Sequence, residues 1–260
     1  MNKIRLTKKE LKEITRLIKK GKSLNSIGKL TDKSKTTIYY HFRKIKGRTF
    51  YPIKVNTQNE ELVGEFIGLF AGDGCADKTE ICQYRTYLCF NITEEVFVKD
   101  LIENVLINLF GKKPMIFKPE NKLNLCYYSK NIHKLIDTYL VWNKDSRKTH
   151  SIRLRKKNYS NKFIIGFIRG CLDSDGYLSD KKITFASSSP YLIEDIKKFL
   201  EHLNIQHSYH IYKEKRTNRV DMHHINIRKK DRNRFLNLIK PRETKNIDAS
   251  AGIRISETTH

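Results

Sequence analysis

The sequence has few cysteines, and none is placed for chemistry. Cys75, Cys82, Cys89, Cys126 and Cys171 form no CxxC pair and no zinc-type spacing. An odd, scattered set of this kind excludes a disulfide framework and reads as reduced thiols inside a cell. The 260 residues also lack an apolar run long enough to span a membrane, and the opening MNKIRLTKKE has no apolar core of a signal peptide. The expectation is a soluble, cytoplasmic protein with no membrane partner. Acidic residues are the third deficit: 28 Asp and Glu stand against 52 Lys and Arg. The resulting charge of +24 is spread along the chain rather than gathered in a tail. Such charge favours a polyanion, because neutralising phosphates releases condensed counterions. Hydrophobic residues make up 38%, with 13 Phe and 13 Tyr, enough for a real core, so a disordered chain is excluded.

Residues 1–46 carry the pattern of three short helices. Leu11, Ile14, Leu17 and Ile18 form one apolar stripe that stops at Gly21. Leu24, Ile27 and Leu30 form a second, behind Ser23 as N-cap, and Ile38, Phe42 and Ile45 a third after the turn TDKS. A short helix, a tight turn and a basic helix make a helix-turn-helix pattern. Lys35, Thr36, Thr37, Tyr40 and Arg43 would then face outward, toward phosphates or base edges. Residues 47–60, with Gly47 and Pro52, read as a linker.

From residue 61 the chain repeats itself. FIGLFAGDG (66–74) and FIRGCLDSDG (167–176) share one pattern, and each ends in Asp-Gly. Small residues recur every fourth position: Gly64, Gly68 and Gly72, then Gly166, Gly170 and Ser174. On a helix that spacing forms a smooth stripe, which lets two helices pack with their backbones close. Asp73 and Asp175, 102 residues apart (175 − 73), would meet at two negative helix termini. The repulsion there calls for bound cations. Oxygen ligands suit Mg²⁺ better than a soft metal. Gly74 and Gly176 are expected in the left-handed cap that ends a helix.

Both halves read αββαββα, 61–142 and 161–240, joined by a basic connector, 143–160, and followed by a loose tail, 241–260. The expected fold class is α+β: two antiparallel sheets around paired motif helices, plus a small all-α N-terminal domain. Along 81–92, Leu88, Phe90 and Ile92 suit a core, while Gln83, Arg85, Tyr87 and Asn91 suit a polar partner. In 221–228, Ile225 and Ile227 alternate with His224, Asn226 and Arg228. These are side chains that hydrogen-bond to base edges. LDSDGYLSD is no EF-hand, because its glycine comes too early, and His207, His210, His223 and His224 lack a zinc-finger arrangement.

The two motifs within a repeated αββαββα pattern resemble the LAGLIDADG homing endonucleases in their monomeric, two-motif form. The resemblance covers about 61–240. It implies saddle-shaped sheets over double-stranded DNA, Asp73 and Asp175 as metal ligands, and cleavage leaving short 3′ overhangs. It implies Mg²⁺ as cofactor, with Mn²⁺ able to substitute and Ca²⁺ binding without supporting cleavage. It also implies a basic residue near the scissile phosphate in each half, matched by Lys130 and Lys230 with Lys229 as alternate, and a solvent-orienting polar residue, matched by Asn91. The counterpart of Asn91 is Ala186, and that of Asp173 is Ala71, so the two halves are expected to be unequal. A DNA-binding regulator on the same scaffold and an RNA maturase acting on an intron are the alternatives. The separate N-terminal module and the Met start suggest a free-standing protein, although intron or intein mobility belongs to the same resemblance.

Overall fold

The computed structural model describes residues 6–46, 52–78, 83–143, 145, 147–156, 158–213 and 220–242. The chain divides into two units, Met1–Pro52 and Ile53–His260. The first holds α1 (Lys8–Lys19), α2 (Leu24–Thr31) and α3 (Lys35–Lys46). A capping box starts α1: Thr7 Oγ1 accepts from the Glu10 amide, and the Glu10 carboxylate accepts from the Thr7 amide. Ile14, Leu17, Ile18, Ile27 and Ile38 are buried together, with Phe42 and Ile45 against them. Leu11 and Leu30 were expected inward, yet both are exposed. Three short helices close their core with four isoleucines and Leu17, and leave Leu11 and Leu30 at the flanks of their stripes in water.

The second unit runs α4 (Glu60–Asp73), β1 (Gly74–Lys78), β2 (Tyr84–Asn91), α5 (Glu95–Leu101), α6 (Ile107–Phe110), β3 (Met115–Phe117), β4 (Lys122–Tyr128) and α7 (Lys130–Tyr139). A short sheet of β5 (Leu140–Val141) and β6 (Arg153–Leu154) brackets α8 (Lys148–Ser151). Then come α9 (Asn161–Asp175), β7 (Tyr177–Leu178), β8 (Ile183–Ser187), α10 (Pro190–His202), β9 (His207–Tyr212), β10 (Met222–Ile227) and α11 (Arg232–Ile239). The two large sheets are antiparallel with matching orders, β1-β2-β4-β3 and β7-β8-β10-β9. The αββαββα repeat is therefore present twice. No helix among the described residues is long and apolar enough to cross a membrane.

The second unit is organised by the contact of α4 with α9. A Cβ added to Gly64 would lie 2.2 Å from the Phe163 carbonyl oxygen, and one on Gly68 2.3 Å from that of Phe167. The reciprocal positions are tighter: 1.9 Å from Gly166 to the Glu61 oxygen and 2.1 Å from Gly170 to that of Glu65. Backbone meets backbone here, so only glycine fits. At the last step the symmetry changes, and Gly72 faces Ser174.

The flanks of this interface differ in kind. Glu65 is fully buried and takes Arg169 Nη1 at 3.0 Å and Arg242 Nε at 2.7 Å. Arg169 also reaches Glu61 at 2.6 Å and the Ile239 carbonyl, and Arg242 reaches Asp100. The repeat equivalents of Glu61 and Glu65 are Phe163 and Phe167. These form a stack with Tyr139 and Tyr159, ring centres 4.3–6.1 Å apart. Arg242 thus pins the chain beyond α11, where a loose tail was expected from 241, while 243–260 lie outside the described residues. The expected linker is likewise anchored at its end. Ile53 is buried in the core, its carbonyl accepts from Asn131 Nδ2, and the Asn56 amide donates to the Leu109 carbonyl. Residues 47–51 lie outside the described residues.

Asp195 on α10 accepts from the Leu154 amide at 2.7 Å, fastening the connector to the second half. Burial raises its pKa to about 6. A carboxyl raised in the folded state contributes stability at low pH that is lost as pH climbs through about 6. Asp195→Asn keeps an acceptor oxygen without the buried charge. It should therefore melt like the parent at pH 4 and higher by a few degrees at pH 7.5, a gain on the order of 1–2 kcal/mol. Identical thermal unfolding of the two proteins at pH 7.5 would discard this assignment.

Candidate cation and nucleic-acid site

Both motif helices end on their aspartates. Asn59 and Ser160 cap their N-termini, each accepting from a backbone amide three residues on. At the other end the chain leaves directly into a strand. Gly74 (φ −87°, ψ 149°) and Gly176 (φ −82°, ψ 165°) are extended, not left-handed as expected. Glycine is needed for another reason: a Cβ would lie 2.3 Å from the Phe70 ring at Gly74 and 2.4 Å from the Leu172 carbonyl at Gly176. The strand folds back over the last helical turn, and a side chain there would block it.

Gly72 leaves a cradle beside both aspartates. A Cβ on it would meet Ser174 Oγ at 2.4 Å and Asp175 Oδ2 at 2.9 Å, and Asp73 is the next residue. The two carboxylates therefore share one junction, as their matched places in the repeat require. Asp73 is half-buried and Asp175 exposed, while Asp173 is buried within α9. Among the described residues, no group of three or more His, Cys, Asp and Glu side chains could hold a metal by itself. Two carboxylates around an open cradle fit a hard cation that completes its shell with water or phosphate oxygens.

The junction also contains a residue that sequence reasoning passed over. Lys148, from the connector, donates to the carbonyls of Phe70 (2.7 Å), Gly72 (3.2 Å) and Gly74 (2.6 Å). Burial pulls its pKa down to about 8, against the opposing pull of Asp175 and Asp73. In a basic run a lysine carries no local signal of such a contact.

Sheet register places the remaining candidates. Gly74 pairs with Leu88, so Asp73 lies level with Cys89. Burial and then Asp73 raise the Cys89 thiol. Asn91 is two residues further on, and its carboxamide oxygen caps the following turn, accepting from Thr93 N (3.1 Å) and Oγ1 (3.0 Å). In the second half Tyr177 pairs with Thr184, which brings Asp175 level with Ala186. Ala186 is thus the counterpart of Cys89 and not of Asn91, a correction that follows from the register.

Lys130 and Lys230 are displaced for one reason. The last strand of each half runs away from the junction, so a residue after it is carried to the far end. Lys130 opens α7 and shares the Tyr84 ring with Lys78, the last residue of β1, five positions beyond Asp73. At about 3.3 Å per residue that is roughly 16 Å. Lys229 and Lys230 lie in the turn after β10, next to Arg232, which donates to the Ser179 and Asp180 carbonyls at the β7–β8 hairpin tip. The basic residue at the near end of β4 is Lys122, paired with Asn91, whose charge acts on Cys89.

On the sheet faces, Thr86, Leu88 and Phe90 point into the core, while Arg85, Tyr87, Cys89 and Asn91 alternate with them. Arg85 is held by Asp77, with Nε to Oδ1 at 3.0 Å, and that guanidinium lowers the Asp77 carboxyl. The Tyr87 hydroxyl engages the Cys75 thiol, which together with burial pushes it up to about 12. Gln83 precedes β2, and Ile92 follows it in a helical turn. In β10, Ile225 and Ile227 are buried, and His224 and Asn226 lie on the other face. Burial, with Lys182 and His210 nearby, lowers His224. Asn226 Oδ1 accepts from Thr184 at 2.8 Å, and Arg228 lies beyond the strand. In the first unit, Thr36 and Arg43 are exposed on α3, whereas Thr37 bonds with Ser34 at the start of that helix.

A tandem αββαββα repeat closed by two glycine-striped helices that end in aspartate defines an α+β protein of the LAGLIDADG fold. Residues 162–240, the second half of the repeat, match the model of the LAGLIDADG-like domain. Among solved structures, the homing endonuclease I-DmoI in complex with DNA and Mn matches with a TM-score of 0.55 at 19% identity, covering 69% of this chain and 96% of that one. I-DmoI with DNA and Ca matches at 0.51 and 18%, covering 69% and 89%. Mesophilic variants of I-DmoI match at 0.51 and 17%, covering 70% and 97%. At these identities the likeness is one of fold. No curated protein matches the sequence.

Proposed function

We propose that this protein is a site-specific endonuclease of double-stranded DNA, acting as a monomer because one chain carries both motifs. The observation that carries the reading is the convergence of Asp73 and Asp175 at the Gly72 cradle, on a fold shared with a homing endonuclease in complex with DNA and Mn. The charge of +24 draws the duplex in, and the outward residues of the two sheets, Arg85, Tyr87, His224 and Asn226, offer donors and acceptors to base edges. Arg85 would exchange its bond with Asp77 for a base or phosphate. Asp73 and Asp175 would hold Mg²⁺, with Mn²⁺ able to replace it and Ca²⁺ binding without cleavage. When bound, the cation supplies water activation and stabilisation of the leaving oxygen. Cleavage in both halves would leave short 3′ overhangs. A non-catalytic DNA-binding regulator is the second reading, favoured by one observation: the Lys148 ammonium already sits on the carbonyls of Gly72 and Gly74, on either side of Asp73.

Selection of cleaved sequences from a randomised duplex library separates the two. Cleavage with Mg²⁺ and binding alone with Ca²⁺ is the expected result, and binding without cleavage in either ion would favour the regulator. We also propose that α1–α3 is an accessory DNA-binding unit. Deleting residues 1–46 should weaken binding to selected sites about tenfold or more, by removing phosphate contacts of α3, while cleavage of bound duplex persists. A truncated chain that folds and binds but no longer cuts would make that unit part of the chemistry.

A further inference from the structure

Lys148 opens α8 in the connector, a segment that occurs once in the chain and so breaks the repeat at the junction. Its ammonium has three donors, and three carbonyls at the end of α4 take them. It also stands 4.9 Å from the centre of the Phe70 ring. Those of Phe70 and Gly72 belong to the last turn of α4, its negative pole, that of Gly74 opens β1, and two aspartates add full charges beside them. In the DNA-free protein this is the setting in which two carboxylates would repel each other.

We infer that Lys148 is a resident cation of the aspartate junction, holding Asp73 and Asp175 together when no divalent ion is bound and competing electrostatically with the ion they take. The inference rests on the cation-binding reading of those carboxylates. Lys148 acts through them and is a positioning residue. Removing its charge takes one fixed positive charge away from two carboxylates and three carbonyls, so a hard cation should bind about tenfold more tightly.

Trp142 makes this measurable. It is the only tryptophan in the chain, and it packs against Phe70 with ring centres 6.3 Å apart. A Tb³⁺ ion at the junction would therefore be sensitised by it. The full chain without DNA is titrated with Tb³⁺ and competed with Ca²⁺, as wild type, Lys148→Met, Lys148→Arg and the Asp73→Asn/Asp175→Asn control. Lys148→Met should half-saturate at about tenfold lower Tb³⁺, and Lys148→Arg, which keeps the charge, within about twofold of wild type. The double aspartate variant should stay dark. A lysine that only plugs the helix end would lower thermal stability in Lys148→Met without moving half-saturation. Equal half-saturation in Lys148→Met and wild type overturns the inference and leaves the cation reading standing. Absence of aspartate-dependent luminescence in every protein overturns both. If Lys148→Met does not fold, Lys148→Gln, whose amide can still donate to two carbonyls, serves in the same comparison.

Discussion

Asp73→Asn and Asp175→Asn should each lose cleavage of a cognate duplex by about a thousandfold, while DNA affinity measured in EDTA is unchanged or tighter. The first half of this expectation follows from charge. An amide keeps the size and one acceptor of the carboxylate but removes the full negative charge that would hold a cation against a developing oxyanion. Loss of one preorganised electrostatic stabiliser costs about 10²–10³ in rate. The second half carries the opposite sign. In the proposed complex two carboxylates at helix C-termini would face a phosphodiester, and neutralising one would relieve repulsion with the backbone. Lys148 and α4 are untouched, so the fold should hold. Timed digestion of supercoiled and linear duplex, with fluorescence anisotropy in EDTA, reads both halves. The two variants should accumulate different nicked intermediates, because Cys89 lies level with Asp73 and Ala186 with Asp175. If either variant still cuts both strands at the parental rate, its carboxylate is not a ligand.

The paired helices were legible because their signal is local: four-residue glycine spacing followed by Asp-Gly, written twice. The αββαββα order was legible for the same reason, since strand alternation and helical stripes are read within a dozen residues. Features made by long-range contact were not. Lys148 meets carbonyls 74–78 positions away, and its neighbours in the connector are as basic as it is. Glu65 carries no local sign that it is buried, and Arg169 and Arg242 neutralise it from 104 and 177 positions away. Lys130 and Lys230 were aligned by their spacing of 100 residues in step with the motifs. Their distance from the aspartates depends on strand direction, which a linear alignment does not carry. Glycine after each aspartate was foreseen for the wrong reason, since steric crowding by the preceding turn and left-handed backbone select the same residue.

Gly170→Ala should be among the most destabilising single substitutions in the second unit, lowering the melting temperature by about 10 °C. A Cβ there would lie 2.1 Å from the Glu65 carbonyl oxygen and 2.7 Å from the Leu69 amide. Ordinary contact needs about 3.4 Å, so the helices must separate by more than an ångström, and both obstacles are backbone that no rotamer change can move. Overpacking of this kind costs about 1–3 kcal/mol, and roughly 2–4 °C accompanies each kcal/mol in a unit of this size. The upper end applies because separation at Gly170 also draws Arg169 away from Glu65, and breaking a buried ion pair costs about 3–5 kcal/mol when one charge is stranded. On the opposite flank the Tyr139, Tyr159, Phe163 and Phe167 stack is apolar and should slide at smaller cost. The ionic flank therefore sets the register of α4 on α9, and the aromatic flank tolerates its errors. The same substitution moves the two aspartates apart, and a displacement of about 1 Å at reacting groups costs on the order of a hundredfold. Thermal unfolding of Gly170→Ala beside the Gly68→Ala variant tests the geometry. Melting of both within 2 °C of the parent, a margin of less than about 1 kcal/mol, would mean that the helices do not approach this closely.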